Sequence, residues 1–263
     1  MIPRGVLALC AAAWAAAAPA AAADLSAAQV KSALDQASPD HPVDLSGKNL
    51  SELDLSGVDF KHANLAHADL FGAKLVGANL RGANLRGARL DLAWIMRADF
   101  SGADLRDASL FGPVVSETMD PVAAAEAPHF AGADFSGARI IARLPGVDFH
   151  GAHFVGARLG VDLKNQPMGQ MRNDFTSADL SDADFAKADV NRAELAFANF
   201  KGANLAGANL FRADLSRADL SGADLAGAEL GEADLNGTIL KGARGLDSAK
   251  GLDRAVNLDQ AVR

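Results

Sequence analysis

A large apolar residue stands at every fifth position of this chain, and no feature restricts its fold more. From Leu45 to Leu110 the series runs fourteen places without a miss, through Leu65, Leu70, Leu75, Leu80 and Leu85. Phe130, Phe135, Ile140, Leu144, Phe149, Phe154, Leu159 and Leu163 add eight, with steps of four at Ile140–Leu144 and Leu159–Leu163. From Phe175 to Leu240 fourteen more follow, through Leu205, Leu210, Leu215, Leu220 and Leu225, giving 36 in all. A period of five is neither the 3.6 of a helix nor the 2 of a strand. On a helix it drifts around the axis and leaves no continuous apolar stripe.

Within each repeat an Ala usually precedes the large residue by two, so the pair shares one face of a short extended piece. The residue between them, usually Asp or Asn, points the other way. The next two positions are often Gly, Ser, Ala or Arg and suit a turn. A chain that bends the same way every five residues winds into a coil, with small Ala letting the walls approach and Leu and Phe filling the axis. No repeat can bury its face alone, so stability comes from stacked neighbours.

Segments such as AHADL, VGANL, RGANL, LFRADL and LSGADL fit A(D/N)LXX, and this pattern resembles the pentapeptide-repeat family over about three quarters of the chain. The resemblance implies an all-β fold, a right-handed, quadrilateral parallel β-helix with four repeats per coil. By that rule 36 repeats make about nine coils, a rod roughly 43 Å long at strand spacings of ~4.8 Å.

The rest of the chain divides around this pattern. Residues 1–23 read as a signal peptide: Arg4 in the n-region, an apolar run from Val6 to Ala18, then Ala21-Ala22-Ala23 before Asp24. That run is too short to span a membrane comfortably, so no span is expected after cleavage. The only cysteine, Cys10, lies in this segment, and the mature chain would have neither disulfide nor thiolate chemistry. The expected location is periplasmic or secreted. Residues 24–40 should hold a capping helix, opened by a Ser26/Gln29 capping box and stopped by Pro39 and Pro42. Repeats fill 44–110, 130–163 and 174–242. The stretch 111–129, with three prolines, reads as a loop or a degenerate coil, with the loop favoured, and 164–173 as a second loop. From 243 to 263 the period becomes six, in GLDSAK, GLDRAV and NLDQAV, a C-terminal cap or dimerisation tail.

Chemistry has few places to sit. The inward positions are hydrocarbon, Tyr is absent, and there are two Trp. No nucleophile-elbow, phosphate-loop or zinc-helix motif stands out. The expectation is a noncatalytic chain with no cofactor and no metal. His150 and His153, and His62 and His67, read as surface residues without a third ligand.

If four repeats close a coil, residues 20 apart stack in columns. One column then contains Asp174, Glu194, Asp214 and Asp234, with Arg192, Arg212 and Arg217 close in sequence to compensate them. From Asp44 to Leu110 nine acidic residues face eight basic ones, while from Asp174 to Leu240 twelve face five. With a formal charge of −8, direct binding to nucleic acid is not expected. Trp94, Phe197 and Phe211, with Phe71 and Phe111, fall outside the inward register and should be partly exposed as candidate partner contacts. Phe111 is the one expected to be covered, by the loop that follows it.

The reading that results is an exported scaffold that presents faces and loops to an unidentified protein partner, with homodimerisation through the tail as a further expectation. The alternative comes from the resemblance: some family members mimic DNA and bind type II topoisomerases. The signal peptide argues against it.

Overall fold

The computed structural model describes residues 22–38, 41–60, 63–116, 125–161 and 172–263. One helix, α1 (Ala27–Asp35), precedes the repeats. Its capping box is formed: the Gln29 N–H donates to Ser26 Oγ at 3.3 Å, and the Ser26 N–H donates to Gln29 Oε1 at 2.8 Å. The helix ends before the prolines, at Asp35. Val30 and Leu34 are buried against the first coil. Just upstream, Asp24 binds the exposed edge of that coil, its N–H donating to the Asn49 carbonyl and its carboxylate accepting the Asn49 N–H. An edge that would otherwise offer unpaired backbone groups is thereby occupied.

The repeats wind into a four-sided parallel β-helix. Each side is a single outward residue bridged in parallel to residues on the coils above and below. On the first face the ladder runs Asp44, Asn64, Asn84, Asp104, Asp134, His153, Asp184, Asn204, Asp224, Arg244. The second begins at Asn49 and ends at Lys250, the third runs from Asp54 to Val256, and the fourth from Asp59 to Val262. On the second face the contact lengthens into two true strands, β1 (Ser109–Phe111) and β2 (Arg139–Ile141), paired Leu110 to Ile140.

Corners repeat one geometry. The Ala N–H donates back to the previous inward carbonyl, as Ala88 to Leu85 at 2.9 Å, and the second corner residue has φ near +60°. Glycine accepts that conformation without cost. Side chains such as Leu92, Arg192 and Phe197 also adopt it, held by the coil on either side.

The interior is hydrocarbon. Leu65, Leu70, Leu75, Leu80, Leu85, Leu205, Leu210, Leu215, Leu220 and Leu225 are all fully buried. Through the middle of the rod Phe replaces Leu, and rings on successive coils stack: Phe130 on Phe149 at 5.1 Å, Phe135 on Phe154 at 5.0 Å, Phe154 on Phe185 at 4.5 Å. Such contacts add ~0.5–1.5 kcal/mol each beyond area burial.

Three details depart from the spacing argument. The tail continues the helix. Its six-residue repeats supply Arg244, Lys250, Val256 and Val262 as a tenth rung, the extra residues being taken up by short 3-10 turns at Leu252–Arg254 and Leu258–Gln260. Gly245 is required at its first corner: at φ +74° an added Cβ would lie 2.4 Å from the Ala226 nitrogen. The 111–129 segment is half coil, because Val114 bridges Trp94 and Val115 is buried; the next rung residue is His129, thirty after Asp99 instead of twenty. The favoured plain loop is corrected on this point, since Pro113-Val114-Val115 keeps the small-outward-large order of a repeat. The third correction concerns Leu163, which lies outside the described residues. Arg158 is followed on the next face by Asp174, so the inward place expected for Leu163 is held by Phe175.

Leu210→Lys places an unpaired charge in this dry interior. The variant is expected to lose several kcal/mol of stability, read as a large fall in thermal midpoint by circular dichroism; unfolding that matches wild type would mean the inward register is wrong.

Candidate functional surface

The outward ladders explain why Asp and Asn alternate with Ala and Leu. Outward Asp and Asn oxygens accept the N–H of the first corner residue two places on: Ser46 to Asp44 at 3.0 Å, Ala186 to Asp184 at 3.0 Å, Ser216 to Asp214 at 2.9 Å. This is the local turn that Asp and Asn side chains form best. Asparagine does a second thing. Its amide donates to the acid one coil earlier, as Asn64 to Asp44, Asn199 to Asp179, Asn204 to Asp184 and Asn209 to Asp189, each at 2.9 Å. Stacked carboxylates ~4.8 Å apart repel, and an interposed amide removes that repulsion.

Between the acids of the third face this relief is missing, although Asn257, beyond the last of them, donates its amide to Asp234 at 2.8 Å. Asp174, Glu194, Asp214 and Asp234 are bridged in sequence as four consecutive acids with no asparagine between them. Asp174 is 8% exposed and lies 3.6 Å from the Arg143 guanidinium. Among the described residues Glu194, Asp214 and Asp234 make no ion pair. The arginines expected to compensate them are engaged elsewhere or stand apart: Arg212 pairs with Glu232 at 2.6 Å, Arg217 lies over the Phe197 ring at 5.4 Å, and Arg192 makes no ion pair among the described residues. The column was legible from the 20-residue spacing; its lack of compensation was not.

Toward the amino-terminal end the same face turns apolar. Its ladder reads Asp54, Lys74, Trp94, Val114, then Arg143. Trp94 is 39% exposed, and Leu92 (41%) and Phe111 (37%) lie on the adjoining corner. Phe111 is therefore not covered as expected: its N–H is fixed by the Asp91 carboxylate at 2.9 Å, which leaves the ring outward. Phe197 is the most exposed aromatic among the described residues, at 53%, while Phe71 and Phe211 are half-buried under Arg89 and Arg212.

The ladder of this face is broken once. Among the described residues no bridge or backbone hydrogen bond joins Val114 or Val115 to Arg143, although the other three faces stay paired at that level. The cause is the four-residue step from Ile140 to Leu144, which removes one corner residue and draws Ile141 and Ala142 inward, each 3% exposed. A recess of about 510 Å³ opens there, floored by Pro113, Val115, Ile141 and Ala142 and bordered by Arg143, Arg172, Asp174 and Glu194. Asn173 braces it. Buried in the slot where Ala normally stands, it accepts the Ala142 N–H at 2.7 Å and donates to the carbonyls of Ile140 and Leu159. The sequence reading assigned Asn173 to a loop; a polar residue in the strict Ala column was the available signal.

His150 contacts the Ser181 hydroxyl at 3.0 Å, and His153 is an ordinary rung of the first face. His62 lies outside the described residues. Among the described residues no group of three or more His, Cys, Asp or Glu could hold a metal ion, and no helix is long and apolar enough to cross a membrane.

A family model described as pentapeptide repeats matches residues 43–75, 73–110, 174–210 and 203–242, eight copies covering more than half of the chain. The chain belongs to the pentapeptide-repeat family. Its fold is the right-handed quadrilateral β-helix of that family. Solved pentapeptide-repeat structures similar to it include HetL of the cyanobacterium Nostoc sp. strain PCC 7120, involved in heterocyst differentiation regulation, at 31% identity over 81% of this chain and 86% of that one, with a TM-score of 0.36. A thylakoid lumen protein of Arabidopsis thaliana is 31% identical over 48% of this chain and 72% of its own, with a TM-score of 0.27. The plasmid-mediated fluoroquinolone resistance protein QnrB1 is 18% identical over 76% and 87%, with a TM-score of 0.33. Comparison with curated proteins returns no match. Pentapeptide-repeat proteins are generally noncatalytic structural or interaction proteins.

The corner bonds of this pentapeptide-repeat rod carry a pH signature. Hydrogen bonds from the Ser46 hydroxyl and N–H hold the Asp44 carboxyl below its ordinary 3.8, and Ser56 does the same for Asp54. Arg106 lowers Asp104. A carboxyl lowered on folding contributes stability that is complete above its unfolded value and is lost as pH falls through the folded one. Thermal midpoints are expected to hold from neutrality to about pH 4.5 and to fall below about pH 3.5. In the same assay Asp184→Asn should melt near wild type, since the amide still accepts the corner N–H. Asp184→Ala loses that bond and the one from Asn204, a cost of about 1–2 kcal/mol.

Proposed function

We propose that this chain is an exported, noncatalytic pentapeptide-repeat scaffold that presents its outer faces to a protein partner. The observation that carries the reading is the contrast between inside and outside. The inside is packed hydrocarbon, with Asn173, Asp174 and Thr238 the only buried polar residues among those described. Asn173 and Thr238 are both engaged with backbone, Thr238 through a 2.7 Å bond to the Leu215 carbonyl. The outside carries one face whose charge and exposed aromatics the fold itself does not require. Export to the periplasm or beyond rests on the 1–23 segment, which lies almost wholly outside the described residues.

Fractionation with amino-terminal sequencing is expected to find a chain beginning at Asp24 outside the cytoplasm. An uncleaved cytoplasmic protein would overturn the export reading. For the scaffold, deletion of 164–171, sparing the structural Asn173, should change the proteins captured from an envelope fraction while the thermal midpoint is kept; an unchanged set removes that segment from the interface.

The second reading, a DNA mimic that binds a type II topoisomerase, draws on the uncompensated acidic column. It requires an intracellular protein. A gyrase supercoiling assay with a large excess of the protein separates the two, since no effect removes the mimic.

A further inference from the structure

We propose that the third face docks a basic amphipathic α-helix of the partner, its apolar end on Leu92, Trp94 and Phe111 and its basic end on Glu194, Asp214 and Asp234. The inference rests on the interaction-scaffold reading and adds the surface and the partner's chemistry.

The apolar part comes first. Leu92, Trp94 and Phe111 are the exposed large apolar residues clustered on coils three and four, and Phe111 is followed in the chain by Gly112, which lines the recess with Pro113, Val115, Ile141 and Ala142. A patch of this kind next to a concave floor is where an anchoring side chain inserts. The acidic ladder continues from it along the same face, and three of its members lack any ion pair among the described residues. The charge calls for cations, and its continuity with the apolar patch calls for one element that carries both.

Spacing decides which element. Rungs follow one another every ~4.8 Å. Alternate residues of an extended peptide are ~6.8 Å apart and fall out of step within two rungs. Helix positions i, i+3, i+7 and i+10 rise by ~4.5, 10.5 and 15 Å, close to the ~4.8, 9.6 and 14.4 Å of the ladder from Asp174 to Asp234. From the level of Trp94 to that of Asp234 is six rungs, ~29 Å, or about nineteen residues of helix. At the recess Arg143 and Arg172 stand beside Asp174 and Glu194, so its border carries no net charge to hold a cation. The helix is therefore held in one direction, apolar residues over coils three to five and basic ones over seven to nine.

The probe is a capped twenty-residue peptide with apolar residues on one face of its first half and Lys at i, i+3 and i+7 of its second, one for each of Glu194, Asp214 and Asp234. The protein is the full chain carrying Trp14→Phe, so that Trp94 is the sole tryptophan. Binding should shift Trp94 emission to shorter wavelength and raise peptide helicity. Glu194→Gln/Asp214→Asn/Asp234→Asn keeps an acceptor for the Ser216 and Asn236 N–H groups at the corners and should weaken binding about tenfold in low salt, a difference that closes as salt rises. Peptides with the halves exchanged, or with Lys at alternate positions, should bind at least about tenfold more weakly. Equal binding of either control, wild-type affinity in the triple variant, or an unmoved Trp94 spectrum at saturation overturns the inference. Capture from an envelope fraction distinguishes the two levels of failure. Partners retained equally by wild type and triple variant leave the scaffold reading standing and remove this face; no partner captured by wild type removes both.

Discussion

Every part of this molecule depends on one constraint: backbone groups on each side are satisfied only by the coil twenty residues away. Leu50 donates to Asp69, Leu70 to Arg89, Leu90 to Ser109, and the chain of bonds passes from end to end. Such a ladder holds its spacing only if the interior is thin and uniform. Ala beside the wall and Leu or Phe on the axis meet that need, and a coil with either position altered must be repaired locally. Asn173 is such a repair. It stands where Ala should, just before Asp174 and Phe175, and its side chain replaces backbone bonds that the irregular corner cannot make.

The same constraint shapes the surface. An acceptor at the outward position closes many corners, so Asp and Asn recur on all four faces, although rungs such as Lys74, Trp94 and Ile239 do without one. Most of the acidity is thus structural chemistry and not a functional sign. What departs from it is informative. On the first, second and fourth faces amides separate many of the acids; on the third, from Asp174 to Asp234, none does. Asparagine would serve the corner at Asp214 equally well, so the carboxylate there answers to something other than the turn.

A single missing residue has a long reach in such a structure. The shortened step from Ile140 to Leu144 leaves the ladder unpaired on one face alone, because the remaining three corners keep their length. The recess, the apolar patch and the start of the acidic run all meet there. Residues on either side of it in the chain, Ser116 and Arg172, also adjoin the two long interruptions of the repeat.

The sequence by itself determined the period, the inward register of residues such as Leu85 and Leu210, the capping box at Ser26, and the 20-residue column of acids. These follow from local spacing, which the repeat states again and again along the chain. The tertiary structure alone decided what happens where the repeat falters. It made the six-residue tail a tenth rung, put Phe175 in the place expected for Leu163, turned Asn173 from loop residue to buried brace, and left Phe111 uncovered. It also decided that Arg212 pairs with Glu232 and not with the ladder. Each of these depends on which coil lies above or below, and residues twenty or more apart in the chain meet only once the helix has closed.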